Sequence, residues 1–300
     1  MKKILVVGDI ILDKYVFVRT ERQCPEAEKP VWDTVRTDYR LGGAANLANN
    51  LSRLGDDVQA CLAGLANTFA FTKIEDTTCI NTSQITIVDD HEQVVKTRIV
   101  EDNGLPLRDA LVARIDDKKS WGSDNEQRIE RDILRIDRNQ YDAIVISDYR
   151  MGTISDKAAK YLCENPPCKV FVDSKRKDLS VFRGAYVLKL NDLEHSLQVS
   201  NRDYIVESIA QFTVVTKGGD GARVIFYEPV QVKNERPCYI TRSIVFPVEQ
   251  VKVVDVTGCG DTFTAALAYY IITKSDDIYT ATRFANVCAS KVVQKLGTSI

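Results

Sequence analysis

Short apolar runs that recur along the chain constrain its fold more than any other feature of the sequence. Each run has three to five residues, many of them β-branched, which is typical of buried strands. The runs cover residues 3–7, 143–146, 170–172, 187–190 and 212–215. Helical spacing of apolar residues occurs at Ile129, Ile133 and Ile136, at Ala158, Tyr161 and Leu162, and at Ile278, Ala281, Ala285, Cys288 and Val292. Strands that alternate with helices favour an α/β fold with a mainly parallel central sheet flanked by helices.

Two stretches, residues 15–38 and 84–115, differ from this pattern because they hold short alternating strands without helical spacing. We interpret residues 1–300 as one domain in which these two insertions form a small β-sheet lid. The lid would expose apolar residues and open strand edges, and both would need to be covered by another protein surface. These residues are Val31, Val35, Val95 and Ile99. We therefore expect a homodimer in which the lids of two subunits pair.

Composition excludes several functional classes. The 40 Lys and Arg residues against 42 Asp and Glu residues give a net charge of −2, which argues against a general nucleic-acid binder. No apolar run approaches the roughly 20 residues of a membrane span, and Gly8 and Asp9 interrupt the only candidate signal peptide. Eight cysteines without a C-x-x-C pair and only two histidines argue against disulfide frameworks, zinc sites and serine-histidine triads. We expect a cytoplasmic protein whose proton transfers use a carboxylate.

The most informative segment, residues 253–270, reads VVDVTGCGDTFTAALAYY. Its glycines precede an apolar helix and leave backbone N–H groups free to bind an anion, to which the helix dipole adds about half a positive charge. We expect the amides of Gly258, Cys259 and Gly260 to stabilise a migrating phosphoryl group. Asp261 would then accept the proton of the attacking hydroxyl. The alternative is an Asp that caps an ordinary helix, with the glycines serving the turn.

This segment resembles the D-T-x-G-A-G-D signature of the ribokinase, or PfkB, family of carbohydrate kinases, and the resemblance implies a ribokinase-like fold. A second family signature is similar to the segment that holds Gly42, Gly43 and Asn46, and implies that these residues contact the sugar. A glycine turn before a helix is the alternative. The family's G-D-x-x-x-D opening is matched up to Asp13, which implies an acceptor for sugar hydroxyls; a surface Asp is the alternative.

The resemblance extends to residues that would bind ATP. Asn191 and Glu194 match the N-x-x-E element, which implies that they orient the phosphates and, for Glu194, Mg²⁺ through water. The same spacing is also a common helix start. A T-x-G-x-x-G turn would line the nucleotide, although a plain β-hairpin turn has similar glycines. The further nucleotide-binding residues implied are Thr216, Lys217, Gly218, Gly221 and Asn286.

Further segments resemble the subgroup of kinases that act on heptose 7-phosphate in bacterial ADP-heptose synthesis. They are CPEAEKPVW, KTRIV, RID, ISDYRMG, VDSKRKD and KLGTS. The likeness implies that Asp148 contacts the acceptor and Lys175 the nucleotide. Lys96 and Arg98 are two residues apart in a predicted strand, so they share one face and could bind a phosphate carried by the acceptor. A solvated, charged edge strand is the alternative.

The chain departs from the subgroup at three places. Cys259 replaces an Ala, Ser174 replaces a Pro, and Arg150 and Met151 stand where Gly and Lys are usual. We expect Cys259 to be tolerated, since backbone amides form the anion hole. Because position 151 lacks the usual lysine, the acceptor specificity need not be that of the subgroup.

The sequence therefore predicts a kinase that uses ATP and Mg²⁺. Its leading acceptor is D-glycero-D-manno-heptose 7-phosphate, which it would convert to the 1,7-bisphosphate. Only the kinase half of the bifunctional subgroup members is matched, so we expect a single catalytic step. Two alternatives stay open: a kinase of another sugar, sugar phosphate or nucleoside on the same fold, and a catalytically silent sugar- or nucleotide-binding regulator.

Overall fold

The computed structural model describes residues 1–89, 93–116, 121–200, 208–230, 238–295 and 297. Its strands, in chain order, are β1 (Lys2–Gly8), β2 (Ile10–Gln23), β3 (Pro30–Gly42), β4 (Val58–Asn67), β5 (Asn81–Val88), β6 (Val95–Glu101), β7 (Leu111–Asp116), β8 (Ala143–Asp148), β9 (Lys169–Ser174), β10 (Ala185–Asn191), β11 (Ala210–Thr216), β12 (Ala222–Val230) and β13 (Cys238–Phe246). Its helices are α1 (Gly43–Leu54), α2 (Thr68–Thr77), α3 (Leu107–Ala110), α4 (Ser123–Leu134), α5 (Asp156–Cys163), α6 (Asp192–Ser200), α7 (Cys259–Thr273) and α8 (Ile278–Val292).

The central sheet has the strand order β13-β12-β11-β10-β9-β8-β1-β4-β5. All neighbours from β11 to β5 run parallel, whereas β12 and β13 are added antiparallel at one edge. Successive residues of β1 are buried in opposite layers: Ile4 and Val6 pack with α1, α7 and α8, and Leu5 and Val7 pack with α4 and α5. Burial on both faces explains why the parallel strands read as continuous apolar runs. The predicted α/β fold is confirmed.

The predicted elements of this sheet are found where the sequence places them. The five apolar runs lie in β1, β8, β9, β10 and β11. Ile129 and Ile133 are buried in α4, but Ile136 lies beyond the end of that helix and is buried all the same. The last helical repeat forms α8. None of the helices in the described ranges combines the length and apolar character that crossing a membrane requires.

A second, four-stranded sheet forms the lid, in the order β3-β2-β6-β7. Its β2–β3 and β6–β7 pairs are antiparallel, while β2 and β6 run parallel. The first lid segment extends from Ile10 to Gly42, beyond the expected residues 15–38. The second expected segment starts too early, because residues 84–88 belong to β5 at the edge of the central sheet. Since β5 is buried on one face only, its alternating pattern resembles that of a lid strand.

The lid joins the central sheet through very short connections. Asp9 alone separates β1 from β2, and β3 continues directly into α1. At this junction Gly43 has a φ of +56°, and a Cβ there would lie 2.3 Å from the carbonyl oxygen of Asp9. The N–H of Ala44 donates to the same carbonyl at 2.9 Å. A residue without a side chain is therefore required where the lid leaves the sheet.

We predict that Gly43→Ala destabilises the fold more than Gly104→Ala. Both glycines have a positive φ, but a Cβ at Gly104 would meet nothing within 4 Å. Gly104→Ala should thus cost only the left-handed backbone penalty of roughly 1 kcal/mol. Gly43→Ala should cost about 1–3 kcal/mol more, because backbone must move to admit the methyl group. Urea unfolding measures both; equal losses would show that the contact with Asp9 relaxes freely.

Candidate active site

The candidate site lies at the carboxyl ends of the central strands, between the lid and the beginning of α7. Asp9 follows β1, Asp148 ends β8, Asp173 lies near the end of β9, and Asn191 ends β10. Because parallel strands end at one edge of a sheet, residues far apart in the chain meet there. Lid strands β2 and β6 bring Asp13, Lys96 and Arg98 to the same place.

The start of α7 has the geometry of an anion-binding site. The residue before the helix, Gly258, has a left-handed φ of 77° and provides no side-chain cap. The N–H of Cys259 makes only a long 3.4 Å bond to the carbonyl of Val256. N–H groups in the first turn of a helix have no intrahelical partner, so they can bind a phosphoryl group. The predicted anion hole thus has the backbone it needs.

Asp261, in the first turn of α7, is buried beside this turn and does not cap it. Its Oδ2 accepts a 2.8 Å hydrogen bond from the side-chain amide of Asn46, and its Oδ1 accepts one of 2.9 Å from the hydroxyl of Tyr149. Burial raises the pKa of Asp261 to about 6, although both hydrogen bonds and Lys189 favour the charged form. A carboxylate with this pKa is suited to accept a proton near neutral pH.

A buried group of charges lies behind the anion hole. The ammonium of Lys189 is 2.8 Å from Asp173, and that of Lys175 is 3.1 Å from Asp173 and 2.8 Å from Glu194. Burial alone would raise the pKa of Asp173, but the two lysines hold it at about 2. Lys189 Nζ would be 3.0 Å from a Cβ on Gly260, so this buried cation lies directly behind the first turn of α7. A phosphoryl group there would meet a positive charge.

Asn191 and Glu194 form the helix start that the sequence offered as one alternative, and their contact with the phosphates stays a prediction. The Asn191 side chain accepts from the N–H of Glu194 at 2.7 Å, and the Glu194 carboxylate accepts from the N–H of Asn191 at 2.8 Å. This reciprocal pair is a capping box at the start of α6. The other Glu194 oxygen binds Lys175, so the same carboxylate also belongs to the charged group behind the anion hole.

On the lid side, Arg98 and Asp13 form a buried ion pair with a distance of 2.5 Å. A Cβ on Gly42 would lie 2.4 Å from the Asp13 carboxylate, so Gly42 makes room for that carboxylate. Arg98 therefore orients Asp13, which differs from the phosphate contact expected for it. Lys96 is the lid cation nearer the base: its ammonium lies 4.4 Å from the ring centre of Tyr149, and burial lowers its pKa.

Two other expected acceptor ligands are placed differently. The side-chain amide of Asn46 faces Asp261 rather than the open cleft. Asn50 donates a 3.2 Å hydrogen bond to the side-chain oxygen Oδ1 of Asn46. Asp148 is buried behind the cleft, where it accepts hydrogen bonds from Ser174 and Arg176. Both side chains are buried and hydrogen-bonded to other residues of the site, and their contact with a sugar stays a prediction. Partnerships of this kind depend on residues distant in sequence, which the motifs alone did not indicate.

Four of the expected nucleotide residues line a cavity of about 170 Å³ next to the first turn of α7. Thr216, Gly218, Gly221 and Asn286 line it, together with Cys259, Gly260 and the apolar residues Val248, Val251, Val253, Val256 and Phe263. An apolar slot with a few polar groups suits a purine base. The turn that holds the glycines also joins the antiparallel strands β11 and β12, so the hairpin alternative describes it equally well. Lys217 lies outside the cavity lining and pairs with Asp192 at 3.3 Å.

The sequence motifs did not identify the loop of residues 149–153 as part of the candidate site. Asp9 accepts hydrogen bonds from the backbone N–H groups of Tyr149, Met151 and Thr153 at 2.7, 3.2 and 3.2 Å. Arg150 adopts a φ of 63°, the left-handed region that favours glycine. A glycine at this position would adopt the same conformation without the steric cost of a side chain. The segment ISDYRMG was the available signal, but its pattern could not reveal that Tyr149 reaches Asp261.

Comparison with known proteins agrees with this geometry. A family model described as "pfkB family carbohydrate kinase" matches residues 1–300. Two curated relatives are each named bifunctional protein HldE. The one from Sulfurimonas denitrificans is 28% identical over 316 residues, which cover 99% of this chain and 62% of the relative. The one from Pelobacter propionicus is 30% identical over 315 residues, with 98% and 60% covered. The chain thus spans about three fifths of the length of these relatives.

Solved structures show the same fold. A nucleoside kinase of Methanocaldococcus jannaschii, described as an archaeal member of the ribokinase family, has a TM-score of 0.72 at 20% identity, with 99% of this chain and 93% of that chain covered. Ribokinase from Thermotoga maritima has a TM-score of 0.67 at 17% identity, with 99% and 95% covered. Since the family model matches all 300 residues, the chain belongs to the pfkB family of carbohydrate kinases.

Proposed function

We propose that this chain transfers the γ-phosphate of ATP to a hydroxyl of a sugar or sugar phosphate, with Asp261 as the general base. One observation carries the proposal: the Asp261 carboxylate lies in the first turn of α7, whose residues Cys259 and Gly260 line the cavity, and Lys96 of the lid interacts with it electrostatically. A hydroxyl bound under the lid would have the base on one side and the transferable phosphate on the other. In-line phosphoryl transfer requires this arrangement.

The chain's own residues would act by position and charge. Asp261 would take the proton of the acceptor hydroxyl as that oxygen attacks phosphorus, and Asp13 would orient the acceptor by accepting from a second hydroxyl. The first N–H groups of α7 and the ammonium of Lys189 would stabilise the charge of the transferred group. The lid would exclude water, so that the phosphoryl group reaches the sugar instead.

We propose that Mg²⁺ arrives with ATP rather than in a site of its own. No cluster of three or more acidic, His or Cys side chains that could hold a metal is present in the described part of the chain. Mg²⁺ often keeps several waters and binds through one or two carboxylates and the substrate phosphates. Glu194, at the edge of the charged group behind the anion hole, could reach it through water. The ion would neutralise part of the phosphate charge.

The leading acceptor is D-glycero-D-manno-heptose 7-phosphate, phosphorylated at C1. The subgroup segments and the names of the curated relatives, at 28–30% identity, favour it. Lys96 provides a partly buried cation beside the base. Arg150 and Met151, which depart from the subgroup, favour the second candidate, a kinase with a different sugar or sugar-phosphate acceptor. Measuring ADP release with a panel of sugars and sugar phosphates would decide between these two candidates. The absence of ADP release with every acceptor would favour a binding regulator.

Asp261→Asn should lower turnover by about 10²- to 10⁴-fold, because the amide keeps the size of the side chain but cannot accept the proton. The KM for ATP should change little. The control is Asp57→Asn, which removes an exposed carboxylate that binds Tyr269 of the same helix on the far side from the site. Steady-state ADP release measures both variants. Wild-type turnover in Asp261→Asn would show that another group is the base.

Lys96→Gln should weaken a phosphorylated acceptor by about 10- to 150-fold, the value of one charge-assisted contact, and spare the unphosphorylated sugar. Arg98→Ala should impair both acceptors alike, because it leaves Asp13 without its partner. Lys14→Gln is the matched control, since Lys14 is also a lid lysine that lies over a tyrosine, 5.7 Å from the ring centre of Tyr39. Competition between a sugar and its phosphate provides the measurement. Equal loss of both acceptors in Lys96→Gln would contradict the phosphate contact.

We further propose that two subunits pair through their lids. Val35, Leu111, Val112 and Ile115 expose 40–56% of their surface there, and β3 and β7 are open edges. Ile115→Glu should convert a dimer to a monomer at micromolar concentration, because it places a charge in the apolar contact. Leu193→Glu, on the exposed side of α6, should leave the dimer intact. Sedimentation velocity distinguishes the species, and a wild-type monomer would overturn the pairing.

A further inference from the structure

Tyr149 connects three parts of the site that the motifs treat separately. It follows β8 directly, and its hydroxyl donates to Asp261 Oδ1 at 2.9 Å while Asn46 holds Oδ2. The ammonium of Lys96 lies 4.4 Å from the centre of its ring, and that of Lys175 lies 5.6 Å from the same point. One side chain therefore touches the base, the lid and the charged group behind the anion hole.

The loop that carries Tyr149 is held by hydrogen bonds from its backbone to two buried carboxylates. Asp9 accepts the backbone N–H of Tyr149 and of two later loop residues, and Asp148 accepts the N–H of Arg150 at 2.9 Å. Arg150 keeps a φ of 63°, which costs energy for a residue with a side chain. Strain of this kind persists only where the surroundings fix the backbone, and it concentrates at functional sites. These hydrogen bonds fix the backbone from which the Tyr149 side chain reaches Asp261.

We propose that Tyr149 is a positioning residue for the base: its hydroxyl fixes the rotation of the Asp261 carboxylate so that a free lone pair faces the acceptor, and its ring ties that orientation to Lys96 of the lid. This inference rests on the proposed kinase reaction and adds a residue to it. Burial and the neighbouring carboxylates of Asp261 and Asp173 hold the pKa of Tyr149 well above its ordinary range. The hydroxyl therefore stays protonated and acts as a donor, not as a base.

Several charged or titratable groups face Asp261 from the elements around it. They are Tyr149 from the loop after β8, Asp173 from β9, Lys189 from β10, Cys259 from α7 and Lys96 from β6. The Tyr149 hydrogen bond stabilises the charged carboxylate and so opposes the effect of burial. Its removal should raise the pKa of Asp261 above about 6 and move the acid limb of kcat/KM to higher pH.

The test is Tyr149→Phe, which keeps the ring under Lys96 and removes only the hydroxyl. We expect kcat to fall about 10- to 100-fold with little change in the KM for ATP, and the acid limb to move to higher pH. The matched control is Tyr186→Phe, which removes a 2.8 Å hydrogen bond to Asp276. Tyr186 lies near the start of β10, at the end of the strand opposite the site. The control should keep the wild-type kcat and profile. An unchanged kcat and acid limb in Tyr149→Phe would overturn the proposal.

A second measurement does not depend on turnover. Carbon-13 NMR of the aspartate carboxyls gives the titration midpoint of Asp261, with its signal assigned by Asp261→Asn. Assignment matters because burial and Asp148 raise the pKa of Asp9 to about 6 as well. The Asp261 midpoint should rise in Tyr149→Phe alone, and an unchanged midpoint would refute the hydrogen bond. If wild-type protein releases no ADP with any acceptor, the proposed reaction fails, while this titration still decides the role of Tyr149.

If Tyr149→Phe does not fold, 3-fluorotyrosine at position 149 replaces it. Fluorine makes the phenol a stronger donor while keeping its shape, so the Asp261 midpoint and the acid limb should move to lower pH. A shift in the same direction as that expected for Tyr149→Phe, or none, would contradict the positioning role.

Discussion

Burial of the Asp261 carboxylate is the constraint on which the rest of the site depends. A carboxylate removed from water is strongly disfavoured unless donors replace its hydration. Here a side-chain amide from α1 and a hydroxyl from the loop after β8 provide those donors, and the positive end of α7 adds to them. The balance leaves the pKa of Asp261 at about 6, so the group is charged at neutral pH and still basic. Asn46 and Tyr149 are best understood through this balance.

Charge is also compensated in the surrounding layers before any substrate binds. Arg98 neutralises the charge of Asp13, and Lys175 and Lys189 both form ion pairs with Asp173. Pairs of this kind keep each ionic group fixed, which lowers the reorganisation that reaction would otherwise require. Asp255 extends the arrangement to the lid, since it accepts from the Tyr15 hydroxyl at 3.3 Å and from a backbone N–H of the loop before α7 at 2.8 Å. The lid and the anion hole are therefore parts of one connected network.

The sequence predicted the central sheet, and it identified the glycine turn before α7, because both are visible as local patterns. A buried parallel strand is a continuous apolar run, and an anion hole is a glycine turn before a helix. Local pattern failed for β5, where burial on one face gives the same alternation as a lid strand. It also could not indicate the partners of Asn46 and Arg98, which lie 215 and 85 residues away along the chain. Which donor meets which carboxylate is decided by tertiary packing and not by spacing.

The composition of the lid from two separate segments limits how this protein could be recombined. β2 and β3 come from residues before α1, while β6 and β7 come after β5, and the two halves are joined by the parallel pairing of β2 with β6. In that register Asp13 lies opposite Lys96, and Tyr15 lies opposite Arg98. A graft of either half from a kinase with another acceptor would mismatch these neighbours. New acceptor preferences would thus arise through matched changes on both strands rather than by exchange of one contiguous module.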